Sequence, residues 1–258
     1  MIMREYLSQI LLFFQCMYVF SDGWYQFYKD AIANGKSQDK YKVEIHQVKY
    51  KGYDLYYRTN TTDIILIICI LVKNAQYRHD EMIIDTESVL DLGANIGLFA
   101  IKYLANNKVK QPARLIAVEP EKENFKLLNM NLGQFPNVIT LNAGIWWRDT
   151  KLEIIDHGKG AFAFQVKESE SGTVTALSID TICNEYDVKS ALIKMDIEGS
   201  EMVVFEHIKE SEWINKVRML IIETHDPIVP GVGRLVRETM GKKGFSVHKS
   251  FEDYIFVR

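Results

Sequence analysis

Cysteine is scarce in this sequence, with only Cys16, Cys69 and Cys183 among 258 residues. They are far apart, odd in number and lack the spacing of metal ligands, which argues against a disulfide framework and a cysteine-based metal site. We therefore expect reduced, buried thiols in a cytoplasmic protein.

Long apolar runs are missing as well. Residues 10–20, interrupted by Gln15, and residues 64–72 are apolar, but both runs fall short of the about 20 residues that span a bilayer. The first run resembles a signal peptide, yet Glu5 lies in its would-be basic region and no small-residue cleavage site follows. We expect a buried or interface helix there, and no membrane span.

The sequence also lacks sustained runs of lysine or arginine, and its formal net charge is -3. Such a chain has no general electrostatic attraction to nucleic acid or anionic lipid, so we expect no nucleic-acid partner. Its 47% hydrophobic and 25% charged residues are typical of a folded globular protein. The length suffices for one large α/β domain with a modest N-terminal addition.

Residues 1–80 are predicted to form a helical and hairpin extension. The aromatic-rich start favours helices that break at Ser21, Asp22 and Gly23, and alternating segments flank the turn Lys51-Gly52. Asp63 is expected to N-cap an apolar helix. The apolar surface leaves open a homodimer through the N-terminal segment or a lid over the acceptor. The predicted elements are helices within 6–33, strands 41–49 and 53–59, and a helix over 64–75.

Residues 81–258 show short apolar strands that alternate with helices, which predicts βαβ units and a parallel sheet. An irregular stretch, 146–175, contains the alternating segments 152–155 and 161–166, which we expect to form a β insertion over the site. The predicted strands are 89–92, 115–118, 138–141, 192–195, 217–222, 245–248 and 254–257, and the helices are 96–105, 122–132, 201–208 and 233–243.

A glycine-containing turn follows the first strand of this region, and it is the strongest motif in the sequence. Asp91 lies in the strand, Gly93 and Gly97 permit close backbone approach, and the next helix offers free N–H groups to a ligand. The spacing departs from the G-x-G-x-x-G pattern of dinucleotide sites, which argues against NAD or FAD. Glu119 ends the second strand, 22 residues after Gly97, where an acid can accept hydrogen bonds from ribose hydroxyls.

Three segments together resemble the FkbM family of methyltransferases: Leu90 to Gly97, Val118-Glu119-Pro120 with Asn124-Phe125, and Lys194 to Glu201, which contains Asp-Ile-Glu-Gly-Ser-Glu. The resemblance covers about residues 88–225. It implies a class I methyltransferase fold, an α/β Rossmann-like architecture with a seven-stranded, mostly parallel sheet whose last strand is antiparallel and whose faces are covered by helices.

The resemblance also implies S-adenosyl-L-methionine as cofactor and a hydroxyl, often on a sugar or polyketide, as acceptor. Glu119 would bind the ribose, and the backbone near Ala143-Gly144 would flank the adenine. Arg58 and Asp63 loosely match what precedes the core in this family. The methionine and ribose side of the cofactor would be lined by Asp91, Gly93, Ala94, Asn95 and Gly97.

Acidic and imidazole side chains follow the fourth and fifth strands, where ligands bind in open α/β sheets. Asp196 ends one strand, and Glu223 and His225 end the next. His225 is the leading candidate for the general base because imidazole titrates nearest neutral pH, with Asp196 orienting it or acting as the base itself. These three could instead hold a divalent cation, which we do not expect.

We therefore predict O-methylation of a hydroxyl on a small or glycan-linked acceptor. Two rivals stay open. One is a degenerate module of the same fold that binds cofactor or a partner without turnover, and the other is an NAD-dependent oxidoreductase.

Overall fold

A computed structural model provides the fold. Part of the predicted β insertion, residues 161–163, and residue 41 of the first predicted hairpin strand lie outside the described part of the chain. The described residues are 2–34, 42–77, 84, 86–106, 108, 110–156, 164–169, 171–250 and 253–258.

The N-terminal extension folds as predicted, as two helices followed by a hairpin, with one short additional strand between the helices. Its elements are α1 (Ile2–Val19), β1 (Phe20–Asp22), α2 (Trp24–Ala33), β2 (Ile45–Tyr50), β3 (Tyr53–Arg58) and α3 (Asp63–Ile67), which continues as a π-helix over Ile68–Val72.

The helix after the hairpin differs from its prediction in two ways. Thr62 is the N-cap residue, whereas Asp63 is the first helical residue, because the Asp63 carboxylate is engaged by the Arg58 guanidinium and backbone N–H. The π-helix ends at Val72, three residues before the predicted end at residue 75.

The rest of the chain alternates strands and helices as expected. Its elements are β4 (Ser88–Leu92), α4 (Leu98–Leu104), β5 (Arg114–Val118), α5 (Lys122–Leu132), β6 (Val138–Leu141), β7 (Gly144–Trp146), β8 (Thr150–Asp156), β9 (Phe164–Glu168), β10 (Val174–Ser178), α6 (Ile179–Glu185), β11 (Ala191–Met195), α7 (Glu201–Glu206), β12 (Val217–Glu223), α8 (Val232–Lys242), β13 (Ser246–Ser250) and β14 (Asp253–Val257), with 3₁₀ turns at Ile208–Glu210 and Trp213–Lys216.

The central sheet has seven strands in the order β13-β14-β12-β11-β4-β5-β6. The five strands from β12 to β6 are parallel to one another, and β14 is antiparallel to both β12 and β13. The predicted sheet with an antiparallel last strand is confirmed. All five residues of β4 and of β11 are buried, as strands covered on both faces must be.

Two smaller sheets accompany the central one. Strands β1, β2 and β3 form one of them. The other has the order β7-β10-β8-β9, in which β8 and β9 pair antiparallel. The predicted β insertion therefore exists within the described residues, and β7 and β10 extend it.

The hydrophobic core runs across residue 80, the predicted border between extension and domain. Phe27 and Leu55 from the extension share one buried cluster with Val89 and Leu115 from the central sheet. The division at residue 80 stays a prediction, as does the homodimer. Helix α1 exposes apolar side chains on one face, with Leu11 at 59% and Phe14 at 54%. Among the described residues, none of the helices is both long and apolar enough to span a bilayer.

Candidate active site

The turn after β4 brings the main chain against the neighbouring loop. Gly93 has φ +78°, and a Cβ at this position would lie 1.7 Å from the carbonyl oxygen of Asp196. Only glycine fits such an approach without a backbone shift. Asn95 also has a positive φ, 50°, and Gly97 is the N-cap residue of α4 with φ 90°. Residues 93–95 line a cavity at this edge of the sheet.

Glu119 is held against this turn. Its Oε2 accepts a hydrogen bond from the Asn95 N–H at 2.8 Å, and its Oε1 accepts one from the Glu121 N–H at 2.9 Å. The side chain of Asn124 contacts the same oxygen at 3.4 Å. Burial raises the pKa of Glu119 to about 7 against the opposing effect of these hydrogen bonds. The group therefore changes charge near neutral pH.

The N-terminal hairpin supports Glu119 through a buried ion pair. The Arg58 guanidinium donates to both carboxylate oxygens of Asp63 at 2.8 Å, a bidentate geometry that is among the stronger polar contacts in proteins. Its Nη2 also donates to Asn124 Oδ1 at 2.7 Å. The side chains of Asp63, Arg58 and Asn124 thus form a chain of contacts that ends at Glu119. This gives the extension a part in shaping the site.

Asp91 occupies a different place from the one predicted. Its side chain is fully buried, and neither carboxylate oxygen has a hydrogen-bond partner within the described residues. Lys194 Nζ lies 3.5 Å from Oδ1, and burial raises the pKa of Asp91 against the attraction of that lysine. The carboxyl group faces Lys194 and does not line the cavity.

Lys194 is a site residue to which the sequence analysis gave no role. Its Nζ donates to the Gly93 carbonyl at 2.7 Å and lies 3.4 Å from Asp196 Oδ2. Burial favours the neutral amine, but the surrounding groups outweigh it and raise the pKa of Lys194 well above its ordinary value. A permanently charged lysine therefore joins the glycine turn to the end of β11.

A group of acidic side chains surrounds His225 beyond the ends of β11 and β12. Its Nδ1 lies 3.0 Å from Glu201 Oε1, and its Nε2 lies 3.6 Å from Asp196 Oδ1, 3.5 Å from Glu198 Oε2 and 3.9 Å from Glu223 Oε1. The predicted trio of Asp196, Glu223 and His225 is thus brought together. Glu198, quoted in the motif but given no role, stands closer to the imidazole than Glu223 does.

The surroundings of His225 disfavour its predicted role as general base. Burial alone would lower its pKa, but the hydrogen bond to Glu201 and the nearby carboxylates raise the pKa of His225 to about 10. Its ring is therefore protonated at neutral pH and has no free lone pair for an acceptor's proton. Burial and the charge of Asp196 raise the pKa of Glu198 to about 7.

Glu201 fixes the loop that carries Asp196 and Glu198. Its side chain is fully buried, with Oε1 accepting from the Ile197 N–H at 2.9 Å and Oε2 from the Gly199 N–H at 2.8 Å. Glu201 also opens α7 and contacts His225, so it combines an ion-pair contact with a turn-closing role.

A cavity of about 380 Å³ connects the glycine turn with the acidic group, a size within the range of small-molecule sites. Among the predicted site residues, Asp91, Gly97 and His225 do not line it. Lining residues that the sequence did not single out include Tyr77, Lys194 and Glu198. The predicted residues that line it are Gly93, Ala94, Asn95, Glu119, Gly144, Asp196 and Glu223.

Two tryptophans at the end of β7, Trp146 and Trp147, do not line the cavity. Trp146 packs against the small cluster formed by Leu152, Val174 and Ala176. Trp147 stacks on His207 with ring centroids 4.0 Å apart. Both rings therefore have protein partners in the β insertion and beside α7.

The strand order, the reversed β14 and the glycine turn at the carboxyl end of β4 define a class I methyltransferase fold. The sequence profile of the Methyltransferase FkbM domain matches residues 91–247. This match covers more than half of the chain, which belongs to the FkbM methyltransferase family. The NAD-dependent oxidoreductase is thereby ruled out as the alternative. A comparison with curated proteins gave no match.

Solved methyltransferases are similar only at low identity. The FkbM methyltransferase of Methylobacillus flagellatus is 16% identical with a TM-score of 0.45, and the match covers 68% of this chain and 44% of that one. A putative RNA methyltransferase from Pyrococcus horikoshii is 14% identical with a TM-score of 0.40, over 72% and 80% of the two chains. TrmK of M. capricolum, solved with S-adenosyl-homocysteine, is 12% identical with a TM-score of 0.40, over 70% and 65%. The present chain thus spans less than half of the Methylobacillus protein.

Proposed function

We propose that this protein transfers the methyl group of S-adenosyl-L-methionine to a hydroxyl oxygen of a small or glycan-linked acceptor. The observation that carries the proposal is one cavity that joins the glycine turn at Gly93, Ala94 and Asn95 to a carboxylate-lined end at Asp196 and Glu223. One end suits a nucleoside cofactor and the other suits a group that must lose a proton.

The cofactor would occupy the end beside the glycine turn. Glu119, in its ionised form, would accept hydrogen bonds from the two ribose hydroxyls. The backbone near Gly144 would flank the adenine, since Ala143 and Gly144 line the same cavity. Asp91 would act through Lys194, whose charge it helps to hold, because its own carboxylate does not line the cavity.

Methyl transfer is an in-line displacement at carbon, which depends mainly on alignment and on proton removal. The acceptor oxygen forms a bond to the methyl carbon while the carbon–sulfur bond breaks, and the sulfonium becomes a neutral thioether. The hydroxyl proton passes to a base. We assign this role to Asp196, which lines the cavity with 23% of its side chain exposed, in place of the protonated His225.

The charge of the acceptor end supports a neutral acceptor. Asp196, Glu198 and Glu223 all line the cavity, with Lys194 as the counter-charge. Carboxylates repel phosphate, whereas nucleic-acid sites rely on basic side chains to contact the backbone. This distribution supports the expectation that nucleic acid is not the substrate.

Two measurements on the purified full chain test the proposal. Isothermal titration with S-adenosylhomocysteine should give micromolar binding, weakened at least tenfold by Glu119→Ala. The matched control is Glu123→Ala on α5, whose side chain is 61% exposed and which should bind like the parent. Transfer of tritiated methyl from the cofactor to methyl glycosides and polyols should then be lost in Asp196→Asn while cofactor binding persists.

The outcomes of these measurements distinguish the proposed methyltransferase from a non-catalytic module of the same fold. Absence of S-adenosylhomocysteine binding by folded protein would overturn the proposal. Binding without transfer to any hydroxyl probe, equal in the parent and in Asp196→Asn, would favour the non-catalytic module.

A further inference from the structure

One imidazole and two carboxylates converge where β11 and β12 end. Among the described residues, Asp196, Glu198 and His225 each offer one atom, and these atoms all lie within 4.8 Å of one another. We propose that they form a binding site for a divalent cation. The site departs from the sequence-based expectation in two respects, because no cation was expected and because Glu198 takes the place of Glu223.

The orientation of His225 is the independent observation behind this site. Its side chain is nine-tenths buried, with 10% exposed. Its Nδ1 lies 3.0 Å from the Glu201 carboxylate, which is fully buried and anchored by two backbone N–H groups. A carboxylate at this distance makes Nδ1 the N–H donor. Nε2, which forms no hydrogen bond within the described residues, is therefore aimed between Asp196 and Glu198.

Metal-binding histidines commonly show this arrangement. The nitrogen away from the metal donates to a carboxylate, which fixes both the tautomer and the ring plane. Here Glu201 would fill that outer role, while the ion would displace the Nε2 proton of the His225 imidazolium and bind the freed lone pair.

The spacing is close to that of a loaded site. First-row divalent ions stand about 2.0–2.2 Å from oxygen and nitrogen ligands, so neighbouring ligands of a tetrahedral ion are about 3.3–3.6 Å apart. His225 Nε2 lies 3.6 Å from Asp196 Oδ1 and 3.5 Å from Glu198 Oε2, so these two pairs already have that spacing. Asp196 and Glu198 are each 23% exposed and line the cavity. An ion can therefore reach them from solvent.

The ligand types indicate which ions fit. Carboxylates alone suit Mg²⁺ and Ca²⁺, whereas an imidazole among them favours first-row ions such as Mn²⁺ or Zn²⁺. If the proposed function holds, such an ion lies at the acceptor end of the cavity and binds the acceptor hydroxyl. That contact would lower the pKa of the hydroxyl before the methyl group is transferred. The ion-binding claim itself does not depend on this role.

Mn²⁺ titration of the EDTA-stripped full chain, followed by electron paramagnetic resonance, tests the site. We expect one Mn²⁺ per chain, with affinity reduced at least tenfold in Glu198→Gln and in His225→Gln. The matched control is Glu206→Gln on α7, an exposed carboxylate outside the cluster, which should bind Mn²⁺ like the parent. S-adenosylhomocysteine titration of each variant reports whether it is folded.

A second readout protects the test against variants that fail to fold. Pulsed resonance of the Mn²⁺-loaded parent should detect coupling to one imidazole nitrogen. Stoichiometric binding that shows this coupling supports the site even if no methyl acceptor is found, which separates this claim from the proposed function. A parent chain that binds S-adenosylhomocysteine but no Mn²⁺, or binds it without nitrogen coupling, would overturn the site and leave the His225 imidazolium itself as the partner of the carboxylates.

Discussion

The two ends of the cavity are formed by different kinds of structure. At the cofactor end, residues of the turn after β4 line the space, and Glu119 is held by backbone N–H groups. At the acceptor end, carboxylates of the loop after β11 and of α7 meet around the imidazole of His225, which follows β12. One end depends on backbone conformation and the other on long-range side-chain contacts.

This difference determines how the shape and the chemistry of each end of the cavity respond to substitution. A backbone-lined end keeps its form through most substitutions except at its glycines, so it suits a cofactor that is common to a family. A side-chain-lined end changes its chemistry with single substitutions, so it suits an acceptor that differs among relatives. Substitutions should therefore act differently at the two ends.

Gly93→Ala should have the largest effect because it breaks the cofactor end at the backbone. The new Cβ would lie 1.7 Å from the Asp196 carbonyl oxygen at φ +78°. Left-handed strain of about 1–2 kcal/mol and overpacking of about 1–3 kcal/mol should together reduce the free energy of unfolding by about 3 kcal/mol. Urea denaturation measures this loss.

A matched glycine isolates the steric part of that loss. Gly244 has φ +84°, and a Cβ there meets nothing within 4 Å. Gly244→Ala should therefore carry the conformational strain alone, about 1–2 kcal/mol. Equal losses in the two variants would contradict the claim that the loops are in backbone contact.

Glu201→Gln should break the acceptor end and spare the cofactor end. An amide replaces one of the two oxygens that accept from the Ile197 and Gly199 N–H groups, which leaves a buried donor facing another donor. We expect a loss of about 2 kcal/mol in the free energy of unfolding, with the dissociation constant of S-adenosylhomocysteine changed by less than about twofold.

Glu206→Gln serves as the matched control on the same helix and should stay within about 0.5 kcal/mol of the parent. Thermal or urea unfolding gives the stabilities and calorimetric titration gives the affinities. A tenfold loss of S-adenosylhomocysteine affinity in Glu201→Gln would show that the two ends are not independent.

The pH dependence of cofactor binding should be the smallest of these effects. Since the pKa of Glu119 is raised to about 7, its ionised fraction rises from about a tenth at pH 6 to about nine-tenths at pH 8. If the ionised form binds the ribose, S-adenosylhomocysteine should bind about tenfold more tightly at pH 8 than at pH 6. Titrations across this range should be flat in Glu119→Gln.

The same shift has the opposite sign for the stability of the free protein. A carboxyl group whose pKa is higher in the folded state stabilises the fold below its unfolded pKa, and that contribution is lost as the pH rises through about 7. Cofactor affinity and the Glu119 contribution to stability should therefore change in opposite directions. Parallel changes would contradict the assignment of the titrating group.

The main sheet could be predicted because its strands are buried on both faces and read as short apolar runs. Helix α5 and strand β6 were predicted with the bounds that the structure gives them. Helix α6 was missed although Ser178 caps it by accepting from the Thr181 N–H. That Ser-x-x-Thr spacing was a usable signal. The bond of Asp63 to Arg58 could not be read from sequence, so its capping role was misassigned.

The site residues likewise divide into those that could be predicted from the sequence and those that could not. The glycine turn and Glu119 follow from local patterns, and the structure places them at the carboxyl ends of β4 and β5, beside the cavity. The protonation state of His225 depends on Asp196, Glu198 and Glu201, which are 24 or more residues away in the sequence, so residue type alone suggested a base where the structure favours the protonated ring. The role of Lys194 was missed because a lysine inside an apolar strand carries no local sign of the groups around it, namely Asp91, the Gly93 carbonyl and Asp196.

The contact between Gly93 and the Asp196 carbonyl also fixes the distance between the two ends of the cavity. Because no side chain fits between these two stretches of backbone, the distance between donor and acceptor compartments is set by main-chain atoms that have no rotamers to change. Displacement at carbon requires the reacting atoms to approach within about 3–3.5 Å. A fixed main-chain spacer lets the acceptor side chains diverge while the reach of the methyl group stays constant.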